Sequence, residues 1–188
     1  MVMGDRLDEM TPESRWRVAA KFSCRLPVMY GILMRDAVGE TYDSRVEELW
    51  CHCGEEVPEI ARAAGLKVTP ADRLSSSLLK ILTILFGPEF RGEILDLSSD
   101  RAVLLMKKCP FLLRCLECGS STSTVFHPCM AFCISATESL NKDFSLRFVR
   151  AMCTRLRLTR ISIAQPRLAR SMTVVLLSLT CASRLGKI

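Results

Sequence analysis

Phe90-Arg91-Gly92-Glu93-Ile94-Leu95-Asp96-Leu97-Ser98-Ser99-Asp100-Arg101-Ala102-Val103-Leu104-Leu105-Met106-Lys107 is where the periodicity of the chain changes. Everything before it repeats at helical spacing. Here two short runs, Phe90–Leu97 and Ala102–Lys107, carry the β-branched and large apolar residues of strands. Ser98-Ser99-Asp100-Arg101 between them is rich in turn formers, so the stretch predicts a β-hairpin. Helices followed by paired strands argue for an α+β fold, with N-terminal helices packed on a small antiparallel sheet.

Upstream, Thr11-Pro12-Glu13 reads as a helix start: an N-cap threonine, proline in the first turn and an acid beside it. Ala19, Phe22, Leu26, Met29 and Leu33 follow at 3-4-3-4 spacing, which predicts a core-facing stripe. Pro27 falls inside it and is expected to kink or split the helix. A second helix is predicted from about Tyr42 to Ala64. Its stripe is Val46, Leu49, Trp50, Cys53, Val57, Ile60, Ala61 and Ala64, with a bend at Pro58 and a stop at Gly65. Thr69-Pro70-Ala71-Asp72 opens a third. Its run from Leu78 to Phe86 is apolar on nearly every side and far short of the ~20 residues of a membrane span.

Downstream of the hairpin lies a cluster spaced Cys109-x5-Cys115-x2-Cys118-x10-Cys129-x3-Cys133, with His127 two residues before Cys129. Pro110–Cys118 reads as a short helix closed by Gly119, Ser120–Thr124 as a polar loop, and Phe126–Leu140 as a helix. A Cys-rich helical insertion between strands is therefore expected. Cys115 and Cys118 are three apart and Cys129 and Cys133 four apart, so each pair can share a helix face. Cys115, Cys118, Cys129 and Cys133 could then present four thiolates to tetrahedral Zn or an Fe–S cluster. Lys107 and Lys108 would favour the thiolate form. The competing reading is of buried small hydrophobes lining a pocket for a small-molecule ligand. His127 could activate a thiol, but no orienting acid is evident; Asp96, Glu117 and Glu138 are near only in sequence. In Cys51-His52-Cys53, Cys53 alone falls on the predicted core stripe. Cys51 remains a candidate ligand at a subunit contact, so an oligomer is left open.

The chain has 188 residues, 49% of them hydrophobic, enough for a packed core and against general disorder. Its opening, Met1–Glu9, is charged and lacks a signal-peptide apolar run, so a cytoplasmic location is expected. There, ten cysteines favour metal or thiol chemistry over disulfides. Nine methionines beside them would suit an anaerobe. Charge is uneven. Residues 1–143 hold 17 Lys/Arg and all 20 Asp/Glu, whereas residues 144–188 hold nine Lys/Arg and no acid. A basic tail can bind nucleic acid or an anionic membrane surface.

Lys108-Cys109-Pro110-Phe111 after a hairpin, a helical cysteine some twenty residues on, Glu138 to Asn141 before the strand Phe144–Phe148, and Arg150-Ala151-Met152-Cys153 together resemble a known family. It is the group of L-2-amino-thiazoline-4-carboxylic acid hydrolase-like proteins, itself similar to 4-vinyl-reductase-type small-molecule-binding domains. The resemblance spans about residues 11–153. It implies helices packed on an antiparallel sheet, a ligand pocket between them, and hydrolytic opening of a cyclic C–N bond. It makes Cys109, Cys133 and Cys153 the family-type cysteines, with Cys115, Cys118 and Cys129 as additions. Cys109, Cys133 and His127 are the catalytic candidates on this reading. The alternative function is a non-catalytic Zn or Fe–S sensor built on Cys109–Cys133.

After Cys153 the family pattern fails and the acid-free tail begins, which fits either a frameshifted or divergent terminus or a genuine basic arm. The expected organisation is a flexible segment at 1–10 and one α+β domain at 11–163. That domain has a helical part at 11–87 and a hairpin, cysteine-cluster and strand part at 89–163. A basic-apolar tail follows at 164–188.

Overall fold

The computed structural model describes residues 9–39, 41–97, 101–120, 123–148, 161–164 and 173–174. Six helices and five strands are placed among them, in an α+β arrangement. The hairpin turn at 98–100, Cys153, Leu156 and Leu158, and nearly all of the basic tail lie outside the described residues.

Helix α1 (Pro12–Val38) begins as the sequence predicts: Thr11 accepts a hydrogen bond from the Ser14 backbone N–H, and Pro12 fills the first turn. Pro27 neither splits nor ends it. The face it buries is not the predicted one. Ala20, Cys24, Val28 and Gly31 point inward, while Phe22, Leu26, Met29 and Leu33 stay exposed. The inward residues are small, which lets α1 lie close to its neighbours. At Gly31 an added Cβ would come within 3.1 Å of the Tyr42 hydroxyl.

The predicted second helix is two. Helix α2 (Thr41–Glu55) stops one residue short of α3 (Val57–Ala63), and Pro58 sits in the first turn of the latter. Pro58 has no N–H to bond back into α2, so the chain breaks instead of bending. Gly65 follows at φ 61°. Helix α4 (Ala71–Phe86) buries Leu74, Leu78, Ile81, Leu82 and Phe86 but exposes Ile84, so it is one-sided rather than apolar all round. Pro70, not Thr69, takes its N-cap position, and no side chain caps it.

Strands β1 (Arg91–Leu97) and β2 (Ala102–Lys108) form the predicted antiparallel hairpin, pairing Gly92 with Met106 and Ile94 with Leu104. After β2 come helices α5 (Pro110–Glu117) and α6 (Ser123–Leu140), the expected helical insertion. The loop before α6 is shorter than predicted, because the helix starts at Ser123. Strands β3 (Ser145–Phe148), β4 (Ile161–Ala164) and β5 (Thr173–Val174) complete a sheet of order β1-β2-β4-β3-β5. Strand β4 enters between β2 and β3, antiparallel to both.

Strand β2 is buried on both faces. Ala102, Leu104 and Met106 join the main core under the helices, while Val103 and Leu105 form a small cluster on the other side. This is the period-2 alternation of a strand read out in burial. The main core is contiguous and draws on α1, α3–α6 and β2. At its centre Phe86 stacks on Phe111 (centroids 6.4 Å, planes 7° apart), and Trp50 meets Phe111 and the edge of Phe132 at 5.2 and 6.0 Å. These rings bring α2, α4, α5 and α6 to one junction.

Candidate functional site

Beside that junction a cavity of about 570 Å³ opens between α1, α2, the turn after α5 and the start of α6. Three local features build its chemical wall. The first is the end of α5. Cys118 is its C-cap, and its N–H returns to the Arg114 carbonyl. Gly119 follows at φ 68°, and the Ser120 N–H reaches back to the Cys115 carbonyl at 3.1 Å. This backbone pattern closes a helix on a left-handed glycine. It leaves Cys118 half-buried on the cavity wall.

The second feature is the first turns of α6, where His127 and the buried Pro128 line the cavity. His127 Nδ1 lies 3.4 Å from Glu47 Oε1 of α2. That is ion-pair range and longer than a formed hydrogen bond. Contacts of this kind in unliganded sites commonly tighten when substrate binds. The imidazole also packs edge-on to Phe126 (5.8 Å, 81°), which limits its rotation.

The third feature is the joint between α1 and α2. Asp43, Val46 and Glu47 fall on one face of α2 by their i, i+3, i+4 spacing. Arg35 of α1 holds Asp43 through Nε and Nη2 at 3.2 and 2.5 Å. Its guanidinium also sits 5.6 Å from the centroid of the Tyr42 ring. Ile32 supplies apolar lining and Asp36 a further carboxylate. The wall therefore carries three carboxylates, one guanidinium, one imidazole and one thiol.

Helix α2 reaches α6 closely enough to set the Glu47–His127 contact because of Gly54. A Cβ there would come within 2.7 Å of the Phe132 carbonyl oxygen and 2.8 Å of the Ala136 nitrogen. Just before it, the Cys51 carbonyl accepts a hydrogen bond from Ser135 Oγ at 2.7 Å. This close approach also corrects the predicted face of α2. Cys53 is exposed, Cys51 is the half-buried one with Sγ 4.0 Å from the Ala131 carbonyl oxygen, and Leu49 faces solvent. His52 lies on the surface beside Glu55, at 3.1 Å.

The other predicted cysteines sit elsewhere. Cys109 and Cys133 are 4% and 2% exposed and belong to the core, not to the cavity wall. Burial pushes the Cys109 thiol far above its ordinary range, with Cys129 nearby adding to the shift. Cys129 is raised too, first by its thiol contact with Cys133 and then by burial, so the i, i+4 pair on α6 does face one way. Cys115 is fully buried and its thiol donates to the Ser120 carbonyl at 3.6 Å. Cys118 lines the cavity instead. The four predicted metal ligands are thus divided between core and cavity. Among the described residues no three His, Cys, Asp or Glu side chains come together as a metal-holding group.

Two residues of these environments escaped sequence reasoning. Cys24 on α1 joins the core thiols, with Sγ 3.8 Å from the Phe86 carbonyl oxygen and its pKa pushed up by burial to about 11, Arg114 nearby opposing the shift. The small-residue spacing Ala20-Cys24-Val28-Gly31 was the available clue. Glu47, the acid beside His127, lies eighty positions away in the chain, and nothing local marks it. The nearer acids do not line the cavity: Glu117 pairs with Arg114 at 2.9 Å, and Glu138 is exposed.

Among the described residues no helix is long and apolar enough to cross a membrane. Comparison of the chain with protein-family models, with curated proteins and with solved structures yields no match.

Proposed function

We propose that this chain binds a small molecule in the cavity and hydrolyses a cyclic C–N bond there, in the manner of the thiazoline-hydrolase-like proteins its sequence resembles. The observation that carries the reading is that Cys118, His127 and Glu47 line one cavity sized for a small ligand, with His127 and Glu47 3.4 Å apart. With Nδ1–H given to Glu47, the imidazole keeps its Nε2 lone pair free to take a proton. On this reading Cys118 is the nucleophile, His127 its base and Glu47 the acid that orients the imidazole. The nucleophile moves from Cys109 to Cys118 in this reading. A core thiol whose burial opposes ionisation makes a poor nucleophile, whereas the half-buried Cys118 faces the ligand space.

His127 takes the Cys118 proton while sulfur adds to the C=N carbon of the ring, and the imidazolium hands that proton to the ring nitrogen. Collapse of the adduct expels the ring nitrogen as an amine, its second proton relayed by His127 from the exocyclic amino group, which becomes C=NH. Water then adds to the thiol-bound carbon and releases Cys118 as the free thiol. One water is consumed and no redox partner is needed.

The test is to incubate the full chain with 2-amino-thiazoline-4-carboxylate and simpler cyclic amidines, following ring opening by mass and by released primary amine. Wild-type protein should turn over at least one of them. Cys118→Ser and His127→Ala should abolish turnover while Cys109→Ser retains it. No turnover of any of these rings, or full activity in Cys118→Ser, sinks the proposal.

A further inference from the structure

Helix α1 carries two apolar faces, and among the described residues only one is packed against the rest of the chain. Ala20, Cys24, Val28 and Gly31 enter the core. The outward face holds Phe22 (65% exposed), Leu26, Met29 and Leu33 (67%), flanked by Val18 and Tyr30. Seven of the eleven exposed large hydrophobics among the described residues lie on this helix. The stripe is continuous over some four turns. Contiguous apolar patches of several hundred Å² are uncommon on monomers and usually mark contacts.

Its spacing says what kind of contact. Ala19, Phe22, Leu26, Met29 and Leu33 alternate by three and four, the a/d seam of a coiled coil, and the core-facing residues occupy the opposite positions of the same heptads. A seam of this form is filled by another helix. We infer that α1 pairs with α1 of a second copy of this chain, antiparallel about a two-fold axis, through Phe22, Leu26, Met29 and Leu33.

Charge selects the occupant and the direction. The exposed cations of the N-terminal half are Arg15, Arg17, Lys21 and Arg25, against Glu13 alone. At the C-terminal end Asp36 lies with Asp43 and Glu47 of α2, and Arg35, paired with Asp43, offsets only one of these three acids. A parallel pair would set the basic halves against each other. An antiparallel pair sets each basic half beside the other copy's acidic end and its negative helix terminus. In the register that keeps a opposite d, Phe22 meets Leu33 of the second copy, Leu26 meets Met29, and Ala19 meets Asp36. Every large seam residue then has an apolar partner, and the same patch serves both copies, as two-fold contacts require.

The experiment uses the full chain. Sedimentation velocity from about 1 to 100 µM, a range that brackets micromolar association, should show a species of twice 21.1 kDa. Phe22→Glu and Leu33→Glu each place two carboxylates in the apolar seam per dimer. They should weaken association by about a hundredfold or more, with an unchanged far-ultraviolet spectrum. Leu95→Glu, an exposed apolar position off the helix, is the control and should leave association intact. A zero-length carbodiimide should link Asp36 to Lys21. Within one helix these are fifteen positions and about 22 Å apart, too far to join, so the link reports the antiparallel second copy. A monomer throughout the range, or a dimer that survives both glutamates, overturns the inference. A dimer that yields no Asp36–Lys21 link overturns the antiparallel register.

Discussion

Cys118 and Cys109 lie nine residues apart, at the two ends of one short helix, and occupy opposite worlds. Cys109 starts α5 from the bottom of the core, in the company of Cys24 and Cys129, and burial holds its proton. Cys118 ends the same helix on the wall of a cavity shared with His127 and Glu47. The residue type is constant, so the difference comes wholly from surroundings. A thiol becomes a small hydrophobe where nothing stabilises its charge and a candidate nucleophile where a base and open space adjoin it. Counting cysteines therefore overstates the site. A run of five close in sequence separates into four thiols in or against the core and one, Cys118, on the cavity wall.

The contrast can be broken most sharply through chemistry. Removing the base with His127→Ala should lower turnover on an accepted ring substrate by roughly 10²–10⁴-fold. Limited alkylation followed by peptide mass mapping should find Cys118 and the exposed Cys53 modified in the native protein. Cys24, Cys109, Cys115 and Cys133 should react only after denaturation. Rapid labelling of Cys109 in the native state would erase the distinction.

Next in size is the spacer between the two regions. Gly54→Val forces a side chain into the Phe132 backbone and should cost about 2–3 kcal/mol in urea denaturation, as overpacked contacts do. Because the same approach sets Glu47 against His127, any folded fraction should also lose turnover. A variant with normal stability and normal activity would show that α2 and α6 can separate without consequence.

Alkali probes the buried side alone. In the unfolded chain a thiol titrates near 9.0, whereas folded Cys24 titrates at about 11. Below pH 9 both states keep the proton and stability is unaffected. Between those values the unfolded state ionises and the folded state does not, so stability falls as pH rises, by about 2–3 kcal/mol for this group. Cys109 and Cys129 shift in the same direction and steepen the fall. Urea midpoints from pH 8 to 10.5 should decline, and less so in Cys24→Ala.

The smallest effect compares the two thiols directly. Cys109→Ser puts a strongly polar hydroxyl in an apolar core and should cost roughly 1–3 kcal/mol. Cys118→Ser, half-exposed at a helix end, should stay within about 0.5 kcal/mol of wild type. Equal losses would mean that Cys118 is a packing residue after all.

Much of the fold was legible in local patterns. The N-cap at Thr11, the hairpin around residues 98–101, the glycine stops at Gly65 and Gly119 and the helical insertion all follow from backbone rules acting over a few residues. The errors share one cause. On α1, and at Leu49 and Cys53 of α2, residues assigned to the core are exposed. The structure buries Ala20, Cys24, Val28, Gly31 and Gly54 instead, while Trp50 of α2 packs against the core as predicted. Periodicity identifies which residues share a face. It does not identify which face meets a neighbour at close range, where space favours the smaller side chains. The site was half legible for a related reason. His127 stands out as one of two histidines and Cys118 as part of a Cys-x-x-Cys pair, but Glu47 is one acid among many until α2 is laid on α6.

By itself the amino-acid order determined the class of fold, the ends of its helices and the inventory of thiols, because helix caps, turns and alternation are decided by residues a few positions apart. The tertiary structure alone decided which thiols are core and which line a cavity, which acid stands by the histidine, and which stripe of α1 is left outward. Those outcomes rest on the distance between helices brought together from remote parts of the chain, and that distance is set by side-chain volumes on both partners at once.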